Sequence, residues 1–226
     1  MMKEGISQIL ENSKARGWVL EPDAKKIFAE SGMAVPKFVC VKNSEEARDF
    51  ASRLGYPVVA KVVSSRIVHK SDVGGVVINI KDKEGIDAAF TRLSVLDGFE
   101  GMLVEESVPG TELIVGASID YQFGPVILVG LGGTAVEIYK DTALRLAPLK
   151  EKDAISMVKQ LKAYPLLEGY RGAQPINMKK LTRLLIHFSE LVMDMEELIE
   201  SIDLNPVMCT GKRCVVADAR IMLAKN

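Results

Sequence analysis

A lysine inside an apolar strand is expensive unless an anion meets its ammonium group. The run Pro57-Val58-Val59-Ala60-Lys61-Val62-Val63 puts one in that position. The polar segment behind it adds Arg66 and Lys70 as cations. It also adds Gly74-Gly75, where backbone N–H groups can come close to phosphate oxygens. Phosphate binding is one reading of this stretch; the other is a β-hairpin in which Lys61 pairs with a local carboxylate. The G-x-x-x-x-G-K-S/T spacing of a P-loop is absent. His69, one of two histidines, sits in the same segment. Imidazole is partly unprotonated near neutral pH and can act as a nucleophile. A lone histidine is structural by default, and the glycine-rich surroundings beside Lys70 favour a chemical role. His187 falls in a predicted long helix and is expected to pack or lie at the surface.

Two further groupings carry oxygen ligands. In Leu103-Val104-Glu105-Glu106-Ser107-Val108-Pro109-Gly110-Thr111-Glu112, Glu105 ends a predicted strand. A carboxylate there, with backbone groups near Val108, can accept hydrogen bonds from a ribose or an adenine amino group; a solvated turn is the plainer reading. In Ile202-Asp203-Leu204-Asn205-Pro206, Asp203 and Asn205 point to one face of a strand. Asp218, from a neighbouring strand, would complete an oxygen-rich site. A hard cation such as Mg²⁺ is commonly held by one or two protein groups plus phosphate oxygens. The competing reading is an Asn-Pro turn with exposed acids at strand ends.

The elements that must position these residues alternate helix and strand at first. Helices are predicted over 3–15, from Glu21-Pro22-Asp23 to Gly32, from a capping box at Asn43 and Glu46 to Gly55, and over 83–95. Strands are predicted over 37–41, 57–63 and 76–80. Beyond Gly98 strands dominate, over 102–105, 112–120, 125–131 and 135–139. Helices over 151–161 and 177–194 follow, then strands over 201–204 and 214–221. This is an α+β chain with two lobes meeting near residues 98–103, and a cleft between lobes commonly holds a ligand. Its 226 residues are 48% hydrophobic, enough for a substantial core. A net charge of −1 with scattered Lys and Arg argues against nucleic acid as partner. No apolar run approaches a membrane span, and the charged N-terminus lacks the core of a secretory signal. Cys40, Cys209 and Cys214 are too few and irregular for a disulfide scaffold or zinc site, and read as reduced thiols of a cytoplasmic protein.

Three stretches, YPVVAKVVSSRIVHKSDVGGV (56–76), the run from LVEESVPG to RLAPL (103–149), and IDLNPVM (202–208) with VVADARI (215–221), occur in this order. Together they resemble the ATP-grasp domain of ADP-forming acyl-CoA (acetyl-CoA) synthetases, relatives of the succinyl-CoA synthetase β-subunit. The resemblance implies one ATP-grasp domain over 1–226: a helical arm (1–19), a first lobe (20–101) and a second lobe (102–226), with the nucleotide in the cleft between the lobes. It implies that Lys61 contacts the phosphates of ATP or ADP and that Arg145 faces them. Glu105 and Val108, with Glu112 nearby, would hold the adenosine. Asn205 and Asp218 would ligate Mg²⁺. Asp203 would support a phosphohistidine, and His69 would relay the phosphoryl group. The implied reaction is acyl-CoA + ADP + phosphate ⇌ acid + CoA + ATP. The implied partner is an α-subunit in an α2β2 assembly, carrying the CoA and acyl sites that this chain is expected to lack. A nucleotide-sensing regulatory subunit and a succinyl- or malate-type CoA ligase β-subunit are the alternatives.

Overall fold

The computed structural model describes residues 3–133, 140–172 and 174–224. Helix α1 (Glu4–Ser13) buries Ile6 and Leu10 along one side. A short strand β1 (Trp18–Val19) leads into α2 (Glu21–Glu30), with Pro22 in its first turn, where a missing N–H costs nothing. Ala24, Ile27 and Phe28 of α2 are fully buried in a core shared with Phe188, whose ring centroid lies 6.5 Å from that of Phe28.

Pro36–Val108 forms a separate compact unit. It contains β2 (Phe38–Val41), α3 (Ser44–Leu54), β3 (Val58–Ser64), a single 3₁₀ turn (Ser71–Val73), β4 (Val76–Ile80), α4 (Lys83–Leu93) and β5 (Phe99–Glu106). The Asn43 side chain accepts from the Glu46 N–H at 2.9 Å, so the predicted cap starts α3. The strands form an antiparallel sheet in the order β2-β5-β3-β4. Helices α3 and α4 cover one face, setting Ala47, Ile86 and Leu93 against Val58, Ala60, Val62, Met102 and Val104. Strand alternation therefore turns Lys61, Leu103 and Glu105 to the opposite face.

The larger unit is residues 1–35 together with 109–226. Its strands are β6 (Thr111–Asp120), β7 (Gly124–Leu131), β8 (Thr142–Leu146), β9 (Ile199–Cys209), β10 (Cys214–Val216) and β11 (Arg220–Leu223). Its further helices include α5 (Glu151–Lys159), α6 (Tyr164–Leu167) and α7 (Met178–Asp194). The sheet order is β1-β11-β9-β6-β7-β8, and β10 pairs with the remaining edge of β9. Met157, Val158, Leu181, Leu185 and Phe188 of α5 and α7 share one core with Leu113, Val115, Ile127, Val129 and Leu204 of the sheet.

Three expectations are corrected. The lobe boundaries at 19/20 and 101/102 move to 35/36 and 108/109. The reasons are that α2 and β1 complete the larger core and sheet, whereas β5 is an interior strand of the smaller sheet. The strand predicted over 214–221 breaks into β10 and β11, because the N–H groups of Ala217 and Asp218 turn to the Pro206 carbonyl at 3.0 and 3.4 Å. The strand predicted over 201–204 continues to Cys209, through a bulge opposite β6 that accommodates Pro206. The strand predicted over 135–139 lies outside the described residues. Among those described, no helix is long and apolar enough to cross a membrane.

Candidate functional site

Lys61 and Glu105 meet as a buried ion pair at 2.9 Å, with side chains 6% and 3% exposed. Lys61 is opposite Leu103 and Val59 is opposite Glu105, so the two charges are diagonal neighbours on one sheet face. The sequence reading separated a phosphate-binding lysine from an adenosine-binding glutamate; the structure joins them. Val108 is half-buried at the end of this unit.

The segment between β3 and β4 is anchored at both ends. The Ser64 hydroxyl accepts from the N–H groups of Arg66 and Ile67 at 3.0 and 3.1 Å and donates to the Asp97 carbonyl at 2.7 Å. At the other end the Gly75 N–H donates to the Lys70 carbonyl at 2.7 Å. A Cβ on Gly75 would lie 2.6 Å from Val62 Cγ1 and 2.9 Å from that carbonyl oxygen, so only glycine fits. Between the anchors, His69 is exposed to solvent. Arg66, expected as a phosphate cation, pairs with Asp97 at 3.1 Å.

In the larger unit, Asp203 and Asn205 flank the fully buried Leu204, so both turn to the sheet face away from the helices. Asp203 is directly opposite Arg220, and Arg220 Nη2 lies 3.5 Å from its carboxylate. Asp218 is brought to the same strand through the bond from its N–H to the Pro206 carbonyl, next to Asn205. Its carboxylate also accepts from the Ala219 N–H at 2.7 Å. Glu112 is exposed at the start of β6, opposite Met208. Arg145 lies on the edge strand β8. It is opposite Ile127 in the register, hence on the helix-covered face, and its guanidinium donates to the Leu144 carbonyl (2.7 Å) and the Ser156 hydroxyl (3.3 Å). The reason is the pleat: Leu144 and Leu146 occupy the open face and are 54% and 53% exposed.

The model of the ATP-grasp domain family matches residues 11–223. The acetate–CoA ligase (ADP-forming) I subunit beta of Pyrococcus furiosus is 41% identical over 225 residues, covering 96% of this chain and 97% of that one. The chain belongs to the ATP-grasp family, among β-subunits of ADP-forming acetate–CoA ligases. A match of 40% identity to the acetate–CoA ligase (ADP-forming) I of Archaeoglobus fulgidus takes in 99% of this ATP-grasp chain and 33% of that longer one. The acetyl-coenzyme A synthetase 1 of Ca. Korarchaeum cryptofilum has been solved with coenzyme A and Ca-AMPCP. It matches this β-subunit-type chain with a TM-score of 0.90 at 40% identity, over 96% of this chain and 99% of that one. A second structure of that protein, holding coenzyme A and Mg-AMPPCP with its phosphohistidine segment pointing towards the nucleotide binding site, gives 0.85 at 38% identity, over 97% and 100%.

The donor set of this family member suits magnesium. Among the described residues no three His, Cys, Asp or Glu side chains cluster as a cage. Asn205 on β9 and Asp218, whose segment is tied to β9 at the Pro206 carbonyl, instead offer two oxygen-bearing side chains, neither of them buried. That is the arrangement a hard cation takes when phosphates supply further ligands. Sequence reasoning missed Arg220. Its place in VVADARI carries no mark of function, and the facing register of β11 and β9 alone reveals it.

Proposed function

We propose that this chain is the nucleotide-handling subunit of an enzyme catalysing acyl-CoA + ADP + phosphate ⇌ acid + CoA + ATP. The solvent exposure of His69, on a segment pinned by Ser64 and Gly75, carries this reading. A phosphoryl carrier needs a ring that a donor and an acceptor can both reach, and anchors that limit where it travels. The phosphoryl group arrives from the partner subunit, where phosphate displaces CoA from the acyl-CoA to form an acyl phosphate, and the acid is released as the phosphoryl group leaves it. The His69 imidazole forms an N–P bond as the donor bond breaks, and an oxygen of the ADP β-phosphate then attacks and releases the ring.

Lys61 would offer its ammonium to the phosphates, with Glu105 holding it in place and, with Val108, accepting from the adenosine. Glu112 is a further candidate for that contact. Asn205 and Asp218 would hold Mg²⁺, which offsets charge on the transferring group when bound. Asp203 and its partner Arg220 would orient the incoming phosphohistidine. Arg145, tied to Ser156, is assigned to holding the edge strand. The partner is an α-subunit carrying the CoA-binding and ligase domains, the assembly is α2β2 and the setting is cytoplasmic. The names of the relatives as beta subunits, and the longer Archaeoglobus chain, support a separate partner.

The deciding experiment is His69→Ala in the reconstituted complex. Turnover is expected to fall by at least about 10³-fold, with nucleotide affinity within a few-fold of the parent, as for loss of a covalent carrier. Full turnover in the variant would remove His69 from the reaction.

A further inference from the structure

Cys209 ends β9 and Cys214 opens β10, and the antiparallel register sets them directly opposite each other. The residues between them make the hairpin turn, where the Thr210 N–H donates to the Arg213 carbonyl at 2.8 Å. Residues so opposed have Cα atoms about 4.5–5.5 Å apart, within the roughly 4.4–6.8 Å that a disulfide spans. Both side chains are buried, 1% and 5% exposed, and belong to the core of the larger unit. A hydrogen bond between the thiols, together with burial, raises the Cys209 thiol above its ordinary range. Cys214 also points its sulfur at the carbonyl of Asn177, the cap of α7, at 3.9 Å. A cavity of about 200 Å³ runs to Cys214 past Met33, Leu184 and two cations, Lys180 and Arg183.

We propose that Cys214 and Cys209 form a redox-active dithiol that a small peroxide reaches through this cavity. The Cys214 sulfur attacks one peroxide oxygen and gives up its S–H proton. The O–O bond breaks, the departing oxygen takes a proton and leaves as water, and Cys214 becomes a sulfenic acid. The Cys209 sulfur then attacks the sulfenic sulfur: the S–S bond forms, the S–O bond breaks, and a second water leaves with the Cys209 proton. The peroxide gains two electrons and the two sulfurs together lose two. Lys180 and Arg183 offset the negative charge that develops on the departing oxygen. The division of roles follows position, since Cys214 lines the cavity and Cys209 is the deeper thiol. A dithiol reductant reverses the bridge by exchange. Oxidation removes the S–H that Cys214 offers to Asn177, so the hairpin's tie to α7 changes with redox state.

The test uses the full chain carrying Cys40→Ser, which removes the exposed third thiol. The protein is treated with hydrogen peroxide, unfolded in the presence of an alkylating reagent, and read by peptide mass. The expected product is a single peptide pair joined between Cys209 and Cys214, two hydrogens lighter than the reduced pair and restored by dithiothreitol. A Cys209→Ser companion is expected to accumulate a dimedone adduct at Cys214. Two thiols that still alkylate fully after peroxide would overturn the proposal and leave them as inert core side chains. Oxidation of either sulfur to sulfinic acid without a link would equally refute it.

Discussion

Removing one member of the Lys61–Glu105 pair strands the other charge out of water, and that cost dominates the outcome. Lys61→Met is expected to lower the stability of the chain by about 3–5 kcal/mol in urea unfolding. Adding Glu105→Leu to Lys61→Met should recover most of that loss, since an apolar pair of similar volume is tolerated. Nucleotide binding should stay lost in both variants. Recovery of binding together with stability would show the pair to be structural alone. The placement of individual residues was legible where local pattern fixes it: a cation buried in an apolar run, an Asp-x-Asn on one strand face. Pairings across strands were not legible. Glu105 with Lys61, Arg220 with Asp203 and Cys209 with Cys214 depend on register, which long-range pairing sets. The pairing of Arg145 with Ile127 was not legible for the same reason, because the face of an edge strand follows from its neighbour β7.

The segment from Ser64 to Gly75 shows how an element can be rigid at its ends and open in the middle. Gly75 has no left-handed backbone to explain it; its lack of a side chain answers to the Val62 methyl and the Lys70 carbonyl. Gly75→Ala is therefore an overpacking change, expected to cost about 1–3 kcal/mol in stability. It should also slow phosphoryl transfer through the displaced His69 segment beyond what that loss explains, read as a drop in kcat in the reconstituted complex under conditions where the variant is folded. An unchanged kcat would show that the segment's path does not matter. Among elements, α3 was legible from its cap at Asn43 and α7 from its apolar periodicity, because both signals are local. The break between β10 and β11 was not, since it depends on the Pro206 carbonyl, some ten residues distant in sequence.

At the scale of the molecule, the proposed chemistry needs groups that belong to the partner. The chain alone is expected to bind a magnesium nucleotide but to form no ATP from acyl-CoA, ADP and phosphate. Adding a chain with the CoA-binding and ligase domains should restore turnover, measured as acyl- and CoA-dependent ATP formation. Turnover by the chain alone would refute the need for a partner. Two units were foreseeable from the change in texture near Gly98, but their boundaries were not, because nothing local to α2 says which core its Ile27 and Phe28 will join. Those two side chains are made early, whereas β9 and β11, which share their core, come last. From Phe28 to Ile221 a ribosome adds roughly 190 residues, about 10–40 s of synthesis at usual elongation rates. For that interval an amphipathic helix waits with its Ala24, Ile27 and Phe28 stripe uncovered while the whole of Pro36–Val108 emerges behind it, which makes α2 the natural place for a chaperone to hold.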